Sequence, residues 1–157
     1  MAAEDSEASS ALDVGPARLP ECAVIAALIA RVLPDDTWSA PQLSSEIALP
    51  EGRVWAARSG GALAGFLVAR RELDALHVLL IGVAPERRRG GIARRLLMAL
   101  LASERGLAEA HLEVREGNSG AQAFYRALGF EIAGRRPRHY PSGESAVLMT
   151  QSLAPRG

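Results

Sequence analysis

The segment ALHVLLIGV, residues 75–83, running through APERRRGG into IARRLLMALL, constrains the fold of this chain more than any other stretch. Its residues are nearly all apolar, the pattern of a strand buried on both faces. From Gly91 the period changes. Ile92, Leu96, Leu97, Leu100 and Leu101 recur every three to four residues, so a helix is predicted as far as about Gly106. A sheet strand that turns directly into a helix points to an α/β architecture, and it brings several unpaired backbone N–H groups to one point.

Those N–H groups and the positive end of the helix dipole make a ready anion site. Gly91 removes a side chain where a phosphate would approach the backbone, and Ala93 stays small beside it. Neither the phosphate loop ending in Gly-Lys-Ser/Thr nor a G-x-G-x-x-G is present. The alternative is an ordinary strand-to-helix turn with a solvated arginine cluster. The arginines themselves decide little, because all 18 basic residues of the chain are arginine. An equal 18 acidic residues balance them, so charge gives no reason to expect a direct nucleic-acid partner.

Elsewhere, Val24, Ile25, Leu28, Ile29 and Val32 mark a helix over 20–33, with Pro20 at its start and Pro34 past its end. The loop PDDTWSAP leads to a shorter helical segment around 41–48, where Leu43 and Ile47 share a face. RVWAAR and ALAGFLVARREL, joined by SGG, read as a hairpin. Downstream, AEAHLEVRE is a short strand and NSGAQAFYRALG a helix capped by Asn118 and closed by Gly129. FEIAG and SAVLMTQSL are two further strands, and one more is expected near 11–19.

With neither internal repeat nor linker, the 157 residues read as a single domain over 11–157 behind a flexible acidic tail at 1–10. Nothing approaches the roughly 20 apolar residues needed to span a bilayer, and the amino terminus is acidic where a secretory signal is basic. The single cysteine, Cys22, excludes an internal disulfide. A soluble, monomeric, cytoplasmic protein without membrane contact is expected.

A second motif, LEVREGNSGAQAFYRALGF, occupies residues 112–130. With Arg88-x-x-Gly91-x-Ala93 as an acetyl-coenzyme A pyrophosphate signature, the chain resembles the GNAT N-acetyltransferases. More narrowly it resembles the RimI-like branch, which acetylates the amino-terminal alanine of a small-subunit ribosomal protein. The residues that carry this match are Leu112-Glu113-Val114-Arg115, Asn118, Ala121, Tyr125 and Gly129-Phe130, then Gly134-x-Arg136, Tyr140, Glu144, Ala146 and Met149. TWSAPQL, residues 37–43, is similar to the Trp-Ser segment between the first two helices of these enzymes, so the matches span about 37–149.

The resemblance implies an α/β (α+β) fold: a mixed, mostly antiparallel sheet with two splayed parallel central strands and about four flanking helices. It implies acetyl-coenzyme A as cosubstrate, no metal, a protein N-terminus as acceptor, and direct attack by the amine in a ternary complex. An α-amine, with a free pKa of about 7.7–8.0, loses its proton more readily than lysine at about 10.4, but still needs a base at neutral pH. Glu113 then serves as that base, directly or through water; otherwise it is a charged residue on a solvated strand or a partner of a nearby arginine. Tyr125 is the implied general acid for the departing thiolate, or else a core aromatic beside Phe124 and Phe130.

The main chain of Ile81, Gly82 and Val83 is implied to bond the acetyl-pantetheine end, with an N–H near Val83 facing the developing negative charge. Without that role they are a buried strand end, and Gly82 marks a bulge. Arg88, Arg89, Gly90, Gly91, Ile92, Ala93 and Arg94 are implied to hold the pyrophosphate. Asn118 both caps its helix and binds the cofactor, although the cap alone explains it. Trp38, Arg136 and Tyr140 are the implied acceptor contacts.

Departures from the family pattern are His77, where relatives often carry an acid, His139, where a second tyrosine is common, and Ser145, where an aspartate is common. Arg88 stands where many relatives have glutamine. His77 is either an auxiliary imidazole base or a satisfied structural histidine, and His139 and Ser145 bear on peptide specificity. Two other functions remain open: acetylation of a small-molecule amine or lysine side chain, and a nucleic-acid or ribosome-binding module using Arg87–Arg89, Arg94, Arg95, Arg135, Arg136 and Arg138.

Overall fold

A computed structural model describes residues 12–36 and 38–153. The expected tail at 1–10 lies outside the described residues. Seven strands, β1 (Leu12–Pro16), β2 (Gly52–Ser59), β3 (Ala62–Glu72), β4 (Ala75–Val83), β5 (Glu109–Arg115), β6 (Glu131–Arg136) and β7 (Ala146–Ser152), form a sheet of order β1-β2-β3-β4-β5-β7-β6. The helices are α1 (Cys22–Val32), α2 (Ala40–Ala48), α3 (Ile92–Ser103) and α4 (Ser119–Ala127), with 3-10 turns at Leu19–Glu21 and Pro85–Arg87. β1 with β2, β5 with β7 and β6 with β7 pair antiparallel, while β4 and β5 pair parallel, which gives the mixed sheet expected. No described helix is long and apolar enough to cross a membrane.

Two compact units divide the chain, one made of the residues up to Ala69 with Leu80–Glu104, the other of Arg70–Leu79 with the residues from Arg105 onward. In the first, Ile25, Ile29, Leu43, Phe66, Leu67, Leu96, Leu97 and Leu100 are fully buried, and they come from the apolar stripes of α1, α2 and α3 and from β3. Gly60 and Gly61 both have positive φ, +58° and +82°, so the SGG connection is the tight two-residue turn that matches strand twist. At the start of α2 the Ser39 hydroxyl accepts from the Gln42 N–H and the Gln42 side chain accepts from the Ser39 N–H. That reciprocal cap is a local reason for the Ser-Ala-Pro-Gln sequence. Arg58 donates to both Glu21 carboxylate oxygens, at 2.5 and 2.6 Å, and to the Pro16 carbonyl at 3.0 Å, pinning the 3-10 turn and β1 to β2. The Arg58 hydrogen bonds hold the Glu21 carboxyl below its ordinary range.

The two apolar strands differ. β3 is buried without interruption from Ala64 to Ala69, whereas β4 alternates, with Leu76, Val78 and Leu80 buried and Ala75, His77, Leu79 and Ile81 only partly covered. The expectation that β4 is buried on both faces is therefore corrected. An unbroken apolar run is compatible with either pattern, and here the period of two that places successive side chains on opposite faces shows in burial although it is hidden in composition.

In the second unit Leu76, Ala110, Leu112, Phe130 and Met149 are buried to 2% exposure or less. α4 ends where the Phe130 N–H reaches the Tyr125 carbonyl and the Gly129 N–H the Arg126 carbonyl, around a left-handed Gly129 at φ +101°. Glycine suits that position because a Cβ is disfavoured there.

Candidate active site

In the first unit, β4 ends at Val83, the buried Ala84 fastens the strand end by donating to the Ala64 carbonyl at 2.8 Å, and the chain turns through residues 85–91 into α3. Arg89 and Gly91 both lie in the left-handed region, at φ +71° and +72°. Gly91 is the N-cap residue of α3 and supplies no side-chain acceptor, so the first N–H groups of the helix are left uncapped. A Cβ at Gly91 would meet nothing within 4 Å; backbone conformation, not crowding, calls for glycine there. Arginine in the same region at position 89 costs about 1–2 kcal/mol, a local strain that the surrounding turn sustains.

Arg88, Arg89 and Arg94 are exposed, and among the described residues none of them has an acidic partner. Uncapped N–H groups, a helix dipole and unpaired guanidiniums fit a pyrophosphate in charge and donor type. The Ile92 side chain is instead buried, and Ala93 is half-buried. Ile81, Gly82 and Val83 are the partly covered end of β4. Gly82 has its own structural reason, since a Cβ would stand 2.6 Å from the Phe66 ring, so the glycine lets that fully buried ring pass. Trp38, half-buried, immediately precedes the Ser39 cap of α2.

The second unit gathers ionisable side chains by sheet register. On β5, Ala110, Leu112 and Val114 face the core, and His111, Glu113 and Arg115 share the opposite, half-open face. The parallel ladder sets His77 directly opposite His111, and their rings stack with centroids 4.5 Å apart. Two residues along β5, the Glu113 carboxylate is 16% exposed. Its Oε2 lies 2.6 Å from His139 Nε2, and its Oε1 lies 3.7 Å from the Arg136 guanidinium and 3.9 Å from His77 Nε2. Burial, and after it the charge of His111, hold the His77 imidazole below its ordinary 6.5, so it is neutral near pH 7. Among the described residues no group of three or more His, Cys, Asp or Glu side chains could hold a metal ion.

Around this face the loop after β6 is tightly built. The Tyr140 N–H donates to the Glu144 carbonyl at 3.1 Å, and the Gly143 N–H to the Tyr140 carbonyl at 2.8 Å. The Glu144 carboxylate accepts from the Gly117 N–H at 2.9 Å and from Arg115 at 3.4 Å, while Arg115 lies over the Tyr140 ring at 4.0 Å. Ser145, buried, accepts from the Arg138 N–H at 3.4 Å. Tyr125 is 8% exposed and packs edge-on against Phe124 and Phe130. Burial pushes its phenol well above the ordinary 10. Among the described residues its hydroxyl has no protein partner and no partnerless side-chain oxygen is fully enclosed, so that oxygen keeps access to the surface. Asn118 caps α4 by accepting from the Ala121 N–H at 3.0 Å.

Of the residues singled out from sequence, the structure brings Glu113 and Arg136 together and sets Tyr140 edge-on to His139, with 4.9 Å between ring centroids. It also shows what sequence reading missed: His139, read as a specificity departure, touches Glu113, and Arg115 and Glu144 brace the loop that carries it. No local pattern announces that contact. It depends on β7 lying between β5 and β6, with Leu148 opposite both Glu113 and Gly134.

The profile of the Acetyltransferase (GNAT) family matches residues 24–130. N-alpha-acetyltransferase RimI of Mycobacterium tuberculosis is 40% identical over 120 residues, 73% of this chain and 75% of that protein. The ribosomal protein bS18-alanine N-acetyltransferase of Escherichia coli is 37% identical over 99 residues, 60% of this chain and 67% of that protein. The crystal structure of the ribosomal-protein-S18-alanine N-acetyltransferase from Escherichia coli aligns with a TM-score of 0.79 at 28% identity, covering 93% of this chain and 96% of that one. On the family profile, the sequence relatives and the shared fold together, this chain belongs to the GNAT acetyltransferase family.

Proposed function

We propose that this chain transfers the acetyl group of acetyl-coenzyme A to the α-amine of a protein N-terminus, with the amino-terminal alanine of a small-subunit ribosomal protein as acceptor. The observation that carries the reading is the Glu113 carboxylate, set on the half-open face of β5 beside imidazole and guanidinium groups, in a chain 40% identical to a mycobacterial N-alpha-acetyltransferase. Acetyl-coenzyme A, when bound, supplies the acetyl group as a thioester. The turn of the first unit is proposed to bind its pyrophosphate through the N–H groups of Gly90–Ala93 and the side chains of Arg88, Arg89 and Arg94. The main chain of Ile81–Val83 would hold the pantetheine arm and present an N–H to the thioester oxygen, and Asn118 would add a further cofactor contact.

Glu113 drives removal of the amine proton, as the base itself, through water or through a group it touches, because only the neutral amine is nucleophilic. Tyr125, with its phenol held above the ordinary range, stays protonated throughout physiological pH and always presents a donor. A thiol titrates at about 8.5, so Tyr125 stabilises charge building on the departing sulfur by hydrogen bonding and does not surrender its proton outright. Cys22, 2% exposed in α1, is in no position to serve as an acyl carrier, which favours direct attack. A lone free cysteine also agrees with a reducing, cytoplasmic setting.

The test is turnover with acetyl-coenzyme A on three acceptors of equal concentration: a peptide beginning Ala-Arg, an N-blocked peptide with an internal lysine, and a polyamine. Preferential acetylation of the first is expected; turnover confined to the polyamine or to lysine would replace this reading.

A further inference from the structure

We propose that the atom receiving the acceptor amine's proton is His139 Nδ1, and that Glu113 acts by holding the His139 ring. The proposal rests on the acetyl-transfer reading above and names the group through which Glu113 works. It begins from a mismatch of chemistry. Free carboxylates titrate at about 4.3, α-amines at about 7.7–8.0 and free imidazoles at about 6.5. A general base is most effective when its own value lies near the working pH, so imidazole suits the task better than a carboxylate.

The geometry supplies the imidazole. His139 Nε2 lies 2.6 Å from Glu113 Oε2. No water fits in that gap, and a carboxylate oxygen so close disfavours a lone pair on the nitrogen it touches, so the proton of a neutral ring is assigned to Nε2. The lone pair then falls on Nδ1, which has no protein partner among the described residues, on a side chain that is 32% exposed. His139 is also held in place: the loop on either side is fixed by the Arg138 N–H on Ser145 and the Tyr140 N–H on Glu144, and the ring meets Tyr140 edge-on.

The titratable and charged groups gathered at this face are Glu113, His111 and Arg115 on β5, His77 on β4, Arg136 on β6, and Arg138, Tyr140 and Glu144 in the loop. Of these, the Glu113 carboxylate touches the ring, and His77 is neutral near pH 7. In the transfer step the amine nitrogen bonds the acetyl carbon as the thioester C–S bond breaks, coenzyme A leaves as the thiolate, and the amine N–H bond breaks as the Nδ1–H bond forms. The Glu113 carboxylate keeps its charge throughout, and the imidazolium returns the proton to water before the next turnover.

Two measurements on the full chain test this. The first is kcat against pH, at saturating acetyl-coenzyme A and Ala-Arg peptide, for the wild type, His139→Ala and His139→Gln. Both variants should lose about 100-fold or more in kcat at pH 7.5 and lose the acid limb of the wild-type profile, with the KM for acetyl-coenzyme A unchanged; added 4-methylimidazole should partly rescue the alanine variant. Glutamine keeps a donor toward Glu113, so a His139→Gln enzyme with wild-type rate and acid limb would show a merely orienting ring and overturn the proposal. The second is 15N NMR of labelled histidines in the wild type, which needs neither a variant nor turnover. The neutral ring should carry its proton on Nε2, and a proton on Nδ1 would overturn the assignment. A wild type that acetylates only other amines, with the Nε2–H form intact, would sink the N-terminal acceptor while leaving His139 in place.

Discussion

The Arg88–Gly91 turn and the Glu113 face are built by opposite means. The turn is local and made of backbone: a strand end, left-handed residues at 89 and 91, and helix N–H groups with no cap, all within a dozen consecutive positions. The Glu113 face is made of side chains from β4, β5, β6 and the loop to β7, so residues 77, 111, 113, 136 and 139 meet only because the strands pair in one register. If the turn binds cofactor and the face handles protons, as proposed, the turn tolerates changes to its exposed side chains better than changes to its φ angles, and the face has the reverse sensitivity.

The largest effect expected from this contrast is at Glu113. Glu113→Gln should lower kcat by about 100- to 10,000-fold near pH 7, with partial recovery at high pH as more of the amine is already neutral. Acetyl-coenzyme A binding, measured by calorimetry, should be unaltered, and an unchanged kcat would remove Glu113 from the proton path. Next in size is Gly91→Val, which forces a β-branched residue to φ +72°. It should weaken acetyl-coenzyme A by roughly tenfold or more, the equivalent of about 1–2 kcal/mol of backbone strain. Gly90→Ala, whose Cβ would meet its nearest neighbour at an ordinary 3.6 Å, should leave affinity within a few-fold. Equal effects at positions 90 and 91 would contradict a site made of backbone conformation.

Smaller again is Asn118→Ala, which removes the side-chain cap of α4 and should cost about 1 kcal/mol in a urea melt. A further loss of cofactor affinity beyond that change would support its second, binding role. The smallest effect concerns His77. Its folded-state pKa lies below the ordinary 6.5, so the unfolded chain takes up the proton first and stability falls as the pH drops below about 6.5. His77→Gln should flatten that decline between pH 7 and 5, and urea midpoints at the two pH values will read it.

The same contrast governs what was legible in the sequence. Local signals carried far: residues 75–83 are a strand with the expected limits, the Asn118 cap and Gly129 stop bracket α4, and the turn into α3 was visible from its glycines. The alternation of burial in β4 was not legible, because apolar side chains occupy both of its faces and only packing separates Leu76 and Val78 from Ala75 and Leu79. The contact of His139 with Glu113 was not legible for a related reason. Nothing in RPRHYPSGES reveals that the loop will set a ring on Glu113, since that depends on β7 inserting between β5 and β6. Tyr125 shows the intermediate case, with a position readable from the family pattern but a burial, and hence a raised phenol, that only the fold supplies.

The most direct measurement is an internal competition: one peptide beginning Ala-Arg and carrying a single downstream lysine, acetylated by the wild-type chain and mapped by tandem mass spectrometry. An α-amine N-acetyltransferase places the first acetyl group on the amino-terminal alanine and leaves the lysine free. Acetylation of the lysine with the N-terminus untouched would contradict it.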